Sequence, residues 1–283
     1  MKLAVSNIAW APEDACNAYG ILSEFGIAGI EIAPGLSFAG EDDPIVPSDA
    51  AISRFRSNLA EFGLTLVSMQ SLLFGVQGAQ LFGTQQEGEA LQCALRRVIA
   101  LANRLSVPNL VFGSPGSRRY PDNMSASDAE ARAITLFRQL GDEAVAAGTV
   151  LAIEPNPASY GTNFLTTVAD AAAFVLAADH PGITLNLDLG AAHMNGEVAD
   201  LPALYARTKQ KVSHVHISEP QLAPAPANGD VIEDVALNLL SQGYDRWFSI
   251  EMRAPHTAAL ANLRECLARA ARAMSAAEAR AYA

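Results

Sequence analysis

At 283 residues the chain has room for one large domain or two small ones, and half of it is hydrophobic, so it can bury a sizeable core. Its 30 acids against 19 bases leave a net charge of −11, which argues against the clustered Lys and Arg that a nucleic-acid partner requires. Three dispersed cysteines, Cys16, Cys93 and Cys266, show no C-x-x-C pattern; they argue against a disulfide framework and for a reducing compartment.

Short β-type runs alternate with helix-length segments along the whole chain. Strands are predicted over residues 2–8 (KLAVSNI), 29–33 (GIEIA), 64–70 (LTLVSMQ), 109–114 (NLVFGS), 150–154 (VLAIE), 183–188 (ITLNLD), 211–217 (KVSHVHI) and 247–252 (WFSIEM). The opening stretch breaks its apolar run at Asn7 and then at Pro12, Glu13 and Asp14, so it is not expected to be a signal peptide. Pro12 with the two acids suits a first helical turn, Gly26 and Gly63 suit helix C-termini, and Ser48 and Ser127 are N-cap candidates. Helices are predicted over 87–105 and 127–147, among others. Two long loops, 34–48 and 219–230, each follow a predicted strand and are expected on the same face. The Ala-rich segment 265–283 reads as the last helix. No stretch of about 18 uncharged apolar residues suggests a membrane span, and a cytoplasmic location is the expectation.

Eight βα units predict an α/β fold, a closed (β/α)8 TIM barrel, with residues 1–283 as a single domain. The rival is an open doubly wound sheet. It usually carries a G-x-G-x-x-G turn after the first strand, and none is present here.

The second half of the chain carries the chemistry. Glu154, Asp188, His216 and Glu251 each close one of four successive strands. Alternate strand residues point to opposite faces. In ITLNLD the aliphatic residues Ile183, Leu185 and Leu187 share one face and Thr184, Asn186 and Asp188 the other, so Asp188 is expected inside the barrel. The same parity puts Glu154 with Val150 and Ala152, His216 with Val212, His214 and Ser218, and Glu251 with Ser249. Three carboxylates and an imidazole would then meet at the C-terminal mouth, where unpaired buried charge is costly. One divalent cation is the simplest way to hold them. The donor set suits Mn, Mg or Co and accepts Zn. His214, one layer deeper, is expected as a buried hydrogen-bonded histidine.

The stretches GIEIAPG, SMQSLLFG, QLFGT, LVFGSPGSRR, IEPNPASYGTNFLTT, LDLGAAHMNGE, HVHISEP and GYDRWFSIEM span the chain. Through them the sequence resembles the xylose isomerase-like TIM barrel superfamily, and within it the sugar phosphate isomerase/epimerase group. The resemblance implies a metal held by Glu154, Asp188, His216 and Glu251. It also implies a small carbohydrate-like substrate whose proton is moved through an enediolate by Glu154 and Glu251 as a catalytic pair. Homodimers and homotetramers are usual in the group, and the C-terminal helix is a candidate subunit contact. The chain departs from the ketose epimerases of the superfamily in three places. No acid follows Glu154 within 155–169, where Tyr160 stands about at the expected position. The histidine after Asp188 comes five residues on, as His193. Leu222 stands six residues after His216, where an arginine is common.

Further substrate-binding candidates are Glu31, Gln70, Asn156, His193 and Trp10, together with Arg118 beside Arg119 as a clamp for phosphate or carboxylate. Phe74 and Phe82 are candidate pocket walls. Three other functions compete with the isomerase or epimerase. They are a metal-dependent dehydratase of an inosose- or dehydroshikimate-like substrate, an AP endonuclease-like repair enzyme, and a non-catalytic sugar-binding protein. Five histidines in the whole chain are few for the three-zinc cluster of the endonucleases.

Overall fold

The computed structural model describes residues 2–283. Eight strands form one closed parallel barrel in chain order. They are β1 (Leu3–Ser6), β2 (Gly29–Ile32), β3 (Thr65–Met69), β4 (Leu110–Phe112), β5 (Leu151–Ile153), β6 (Ile183–Asp188), β7 (Val212–Ser218) and β8 (Phe248–Glu251). All eight lie within the segments expected from alternation, except that β7 runs one residue further, to Ser218. β8 pairs with β1 to close the barrel, Val5 opposite Ile250.

The helices are α1 (Ala15–Glu24), α2 (Pro34–Ser37), α3 (Asp49–Glu61), α4 (Gln85–Leu105), α5 (Ala126–Ala146), α6 (Val168–Ala178), α7 (Leu189–Asn195), α8 (Leu201–Thr208), α9 (Gly229–Ser241) and α10 (Ala259–Ala281). Pro12–Asp14 forms a 3-10 turn leading into α1. Gly26 (φ 68°) and Gly63 (φ 67°) follow the ends of α1 and α3 in the left-handed region, where a residue with a Cβ is strained. Ser48 Oγ caps α3 by accepting Ala51 N–H at 3.2 Å. Ser125, not Ser127, caps α5, accepting Asp128 N–H at 3.1 Å. Ser127 already lies in the first turn, so its hydroxyl only meets that of Ser125. Thr84 and Glu87 form a reciprocal capping box that starts α4 two residues earlier than expected.

The outer layer of the core is aliphatic and aromatic, as at Phe112, Phe137 and Phe174, which pack edge to face. The barrel interior is polar in its lower layer. Asn109 donates to Ser68 Oγ at 3.0 Å and accepts from Ser213 at 2.7 Å, and Ser213 meets Thr184. Ser213 departs from the expected parity. The pairing of β6 with β7 shifts between Leu185 and Asn186, and this irregularity places both Ser213 and His214 among interior groups. Above it the register recovers, with Asp188 opposite His216 and Ser218 opposite Glu251. α10 packs on α9 and α1 and buries Leu263, Leu267, Ala270 and Met274. Among the described residues no helix is long and apolar enough to cross a membrane.

Candidate active site

The C-terminal ends of β5 to β8 bring Glu154, Asp188, His216 and Glu251 together, with one ligand atom from each within 4.8 Å of all the others. Each is held in place by its local sequence. Asp188 ends β6 and caps α7, its Oδ1 accepting Ala191 N–H at 2.5 Å. Its Oδ2 accepts the Ser218 hydroxyl at 2.6 Å. Glu154 receives an amide on each oxygen: Asn186 Nδ2 reaches Oε1 at 2.9 Å and Asn156 Nδ2 reaches Oε2 at 3.1 Å. Gly113 follows β4 directly beneath this carboxylate, and a Cβ there would collide with Glu154 Oε2.

His216 organises the centre. Its Nδ1 lies 3.0 Å from Glu154, 3.3 Å from Glu251 and 3.8 Å from Asp188. This fully buried nitrogen nevertheless forms no hydrogen bond of acceptable geometry. Its Nε2 lies 3.1 Å and 3.2 Å from the two oxygens of Glu31, which fixes the ring with Nδ1 toward the three carboxylates. His214 Nε2 approaches Glu31 at 3.0 Å from below.

The electrostatics follow from this crowding. Burial pushes Asp188 up to about 7, aided by the charges of Glu154 and Glu251. Burial also raises Glu251, helped by Glu154 and Glu31 against the opposing pull of His216. Burial works against protonation of His216, but Glu31, Glu251 and Glu154 outweigh it and raise its pKa well above that of a free imidazole. Burial would likewise raise Glu31, yet His216 and His214 overcome it and keep its carboxylate ionised. Each of these groups holds a proton or a charge at a cost that a cation among the oxygens would relieve. Three carboxylate oxygens and a buried imidazole nitrogen without a partner fit a divalent ion by donor type.

Glu154, Asp188 and Glu251 border a cleft of about 360 Å3 whose walls include Gln70, Asn156, Tyr160 and Arg253, and His216 lies buried beneath it. That is the size of a small-molecule site. Tyr160 Oη accepts Gln221 N–H at 2.9 Å, tying the loop after β5 to the loop after β7. Burial raises its pKa, as do the nearby acids Asp188, Glu251 and Glu154, while the Gln221 bond lowers it. Ser71, Ser114, Gln221 and Leu222 also line the cleft, and all four have positive φ (55°, 45°, 60° and 57°) without being glycine. Such strain gathers at functional rims.

Four of the expected substrate contacts do not border this cleft. Glu31 is fully buried, its oxygens meet the two imidazoles and Gln70 Nε2, and with His214 and His216 it forms a second buried group whose donor atoms could hold a metal ion. Arg118 is also fully buried. Its guanidinium donates to the carbonyls of Glu154 (2.8 Å) and Leu165 (3.4 Å), where it braces the loop after β5. Burial lowers its pKa to about 10. Trp10 packs edge to face on Tyr19 and lines a separate cavity of about 330 Å3. His193 is exposed near the C-terminus of α7, which carries it away from the cleft. Gln70 and Asn156 do border the cleft, although Gln70 Nε2 is already committed to Ser6 at 2.6 Å and to Glu31. Phe82 is buried against Tyr120 and Phe164, whereas Phe74 is largely exposed. Asn186, Gly113, Ser218 and Arg253 were not singled out from the sequence. Parity placed Asn186 and Ser218 on the inward face, and that was their only signal.

The profile of the xylose isomerase-like TIM barrel family matches residues 20–276. The chain belongs to this family. Solved structures of similar shape include an L-ribulose 3-epimerase, with a TM-score of 0.78 and 19% identity over 100% of this chain and 97% of the other. The 3-keto-D-glucoside 4-epimerase YcjR from E. coli gives a TM-score of 0.76 and 17% identity over 95% and 98%. A family 2 AP endonuclease from Brucella melitensis gives 0.69 and 19% over 95% and 97%. No curated protein matches the sequence. At these identities the likeness is one of fold, and a xylose isomerase-like barrel hosts more than one chemistry.

Proposed function

We propose that this xylose isomerase-like barrel is a divalent-metal-dependent isomerase or epimerase of a small carbohydrate-like ketone. The observation that carries the reading is His216 Nδ1, buried, without a hydrogen bond, and facing three carboxylates within 3.8 Å. Glu154, Asp188, His216 and Glu251 would hold the metal, with Mn, Mg or Co favoured by the donors and Zn acceptable. When bound, the ion would draw charge from a substrate carbonyl and lower the barrier to removing a proton from the neighbouring carbon. Glu154 and Glu251 come from non-adjacent strands. One removes the proton from carbon and the other returns it, at the opposite face or at the adjacent carbon. Asn186 and Asn156 aim the Glu154 carboxylate, and Glu31 keeps the His216 ring from turning.

The distribution of histidine weighs against the nuclease reading. His180 pairs with Asp142 at 3.1 Å, and His193 and His256 are exposed, so among the described residues only His214 and His216 reach the centre.

The test is metal content of untagged protein beside Glu251→Gln, followed by incubation of ketoses in heavy water. About one equivalent of divalent ion in the wild type, much reduced in the variant, with deuterium entering the substrate at conserved skeleton mass, supports the proposal. Loss of water from the product would move the assignment to a dehydratase. Failure of both proteins to hold a divalent ion after incubation with excess metal overturns it.

A further inference from the structure

Arg253 has no role in the proton-transfer scheme, yet it borders the same cleft. It stands two residues beyond Glu251, and its backbone is pinned on both sides. Arg253 N–H donates to Leu222 O at 2.9 Å, and Ala254 N–H donates to Ile8 O at 2.8 Å. The side chain is exposed. Among the described residues its guanidinium has no hydrogen bond, and no carboxylate lies within the 4.0 Å of an ion pair.

That lack of pairing is informative, because the cleft has four carboxylates in its wall: Glu154, Asp188, Glu219 and Glu251. Each is committed elsewhere. Glu154 holds two amides, Asp188 a helix terminus and a hydroxyl, Glu219 the Ala227 N–H at 2.7 Å, and Glu251 faces His216. Arg253 is therefore not the counter-ion of the acidic centre. It is a fixed backbone position presenting a free planar cation to the ligand space. Three carboxylates around a divalent ion leave an excess negative charge, and Glu219 adds to it. A neutral sugar does not need an opposing cation there, but an anionic one does.

We infer that the substrate carries an anionic group, a phosphate or a carboxylate, and that Arg253 is the residue that selects it. This rests on the isomerase or epimerase reading for the remainder of the substrate. A guanidinium offers two parallel donors to either anion, so the shared chemistry is a terminal oxyanion on a ketose skeleton.

The experiment is calorimetric titration of the full-length protein, with and without added Mn. The ligands are D-fructose, D-fructose 6-phosphate and 5-keto-D-gluconate, with inorganic phosphate as the bare anion. Wild type is compared with Arg253→Met and Arg253→Lys, and the melting temperature of each shows that it is folded. The wild type is expected to favour one anionic ketose over fructose by about tenfold or more, and that ratio is expected to fall about tenfold in the methionine variant. Lysine should restore part of it, and the preferred arm identifies phosphate or carboxylate. Equal affinity for fructose and both anionic ketoses overturns the inference, as does a preference that survives Arg253→Met. Should the protein bind Mn but show no anion preference, the inference falls and the metal reading stands. Should the preference hold and vanish with Arg253 while no divalent ion binds, the metal reading falls and the inference stands.

Discussion

Gly113→Ala separates the site from the fold more cleanly than any ligand substitution. Gly113 lacks a positive φ, so the backbone accepts alanine. The added Cβ falls inside the 3.0 Å that such atoms essentially never breach, and the atom it meets is Glu154 Oε2. The next neighbours, Asn156 Oδ1 and Nδ2, are at 3.4 and 3.5 Å and need to give little. The carboxylate is the far end of a flexible side chain, so it yields by on the order of 1 Å, away from the new Cβ and out of its place in the cluster. A displacement of that size costs about 100-fold in a positioned reaction, and loss of ligand support costs about 10- to 100-fold in metal affinity. The fold should lose at most about 1–2 kcal/mol, a melting shift of only a few degrees in a chain of this size. The assay is calorimetric titration of Mn into metal-free wild type and variant, with thermal melts of both in chelator. Unchanged affinity in a normally folded variant would refute the placement of Glu154 in the cluster, and a collapse of the melting temperature would refute the claim that the side chain absorbs the strain.

Three further outcomes are expected. In metal-free protein Asp188 titrates at about 7 against an ordinary 3.8, and Glu251 and His216 are raised in the same sense. The folded state therefore holds protons that the unfolded chain has released, and the Asp188 contribution to stability is lost as pH rises between about 4 and 7. Metal competes with those protons, so its apparent affinity should climb over pH 5.5–8 with measurable proton release; a flat profile would contradict the assignment. Arg118→Met leaves the Glu154 carbonyl without its donor, while Leu165 O keeps only Asn156 N–H at 3.1 Å, and should cost about 2 kcal/mol, seen in urea melts, with faster hydrogen exchange in residues 155–165; normal exchange there would remove its bracing role. Ser48→Ala should cost about 1 kcal/mol in the same melts through loss of the α3 cap and leave Mn affinity unchanged; an altered affinity would show that α3 is coupled to the centre.

The barrel was legible because each strand is a short apolar run closed by a polar or turn residue, and because the four ligand candidates each fall at such a closing position. Alternation then oriented Asp188, since Ile183, Leu185 and Leu187 leave it one choice of face. Alternation fails where the ladder slips. The irregularity beside Leu185 that turns Ser213 inward depends on a partner strand and leaves no mark in either segment alone. Arg118 was misread for a related reason. In SPGSRRY it has the composition of a solvated loop, and only the folded chain shows two backbone carbonyls, 36 and 47 residues away, converging on its guanidinium. Glu31, flanked by Ile30 and Ile32, has partners 183 and 185 residues distant, His214 and His216. Residue type told what such groups can do, and long-range contact decided what they meet.

The four candidate ligands Glu154, Asp188, His216 and Glu251 all come from the ends of β5 to β8, while β2 and β3 send Glu31 and Gln70 to the layer behind them. A cation held by those four would lace adjacent strands of one half of the barrel and leave the other half unlaced. Its stabilisation would be lopsided. Amides in β5 to β8 would gain protection from exchange in proportion to metal concentration, whereas those in β1 to β4 would gain only what barrel closure through the β8–β1 seam passes on. Opening would begin in the N-terminal half, so the metal-loaded protein would breathe from the side opposite the four clustered residues.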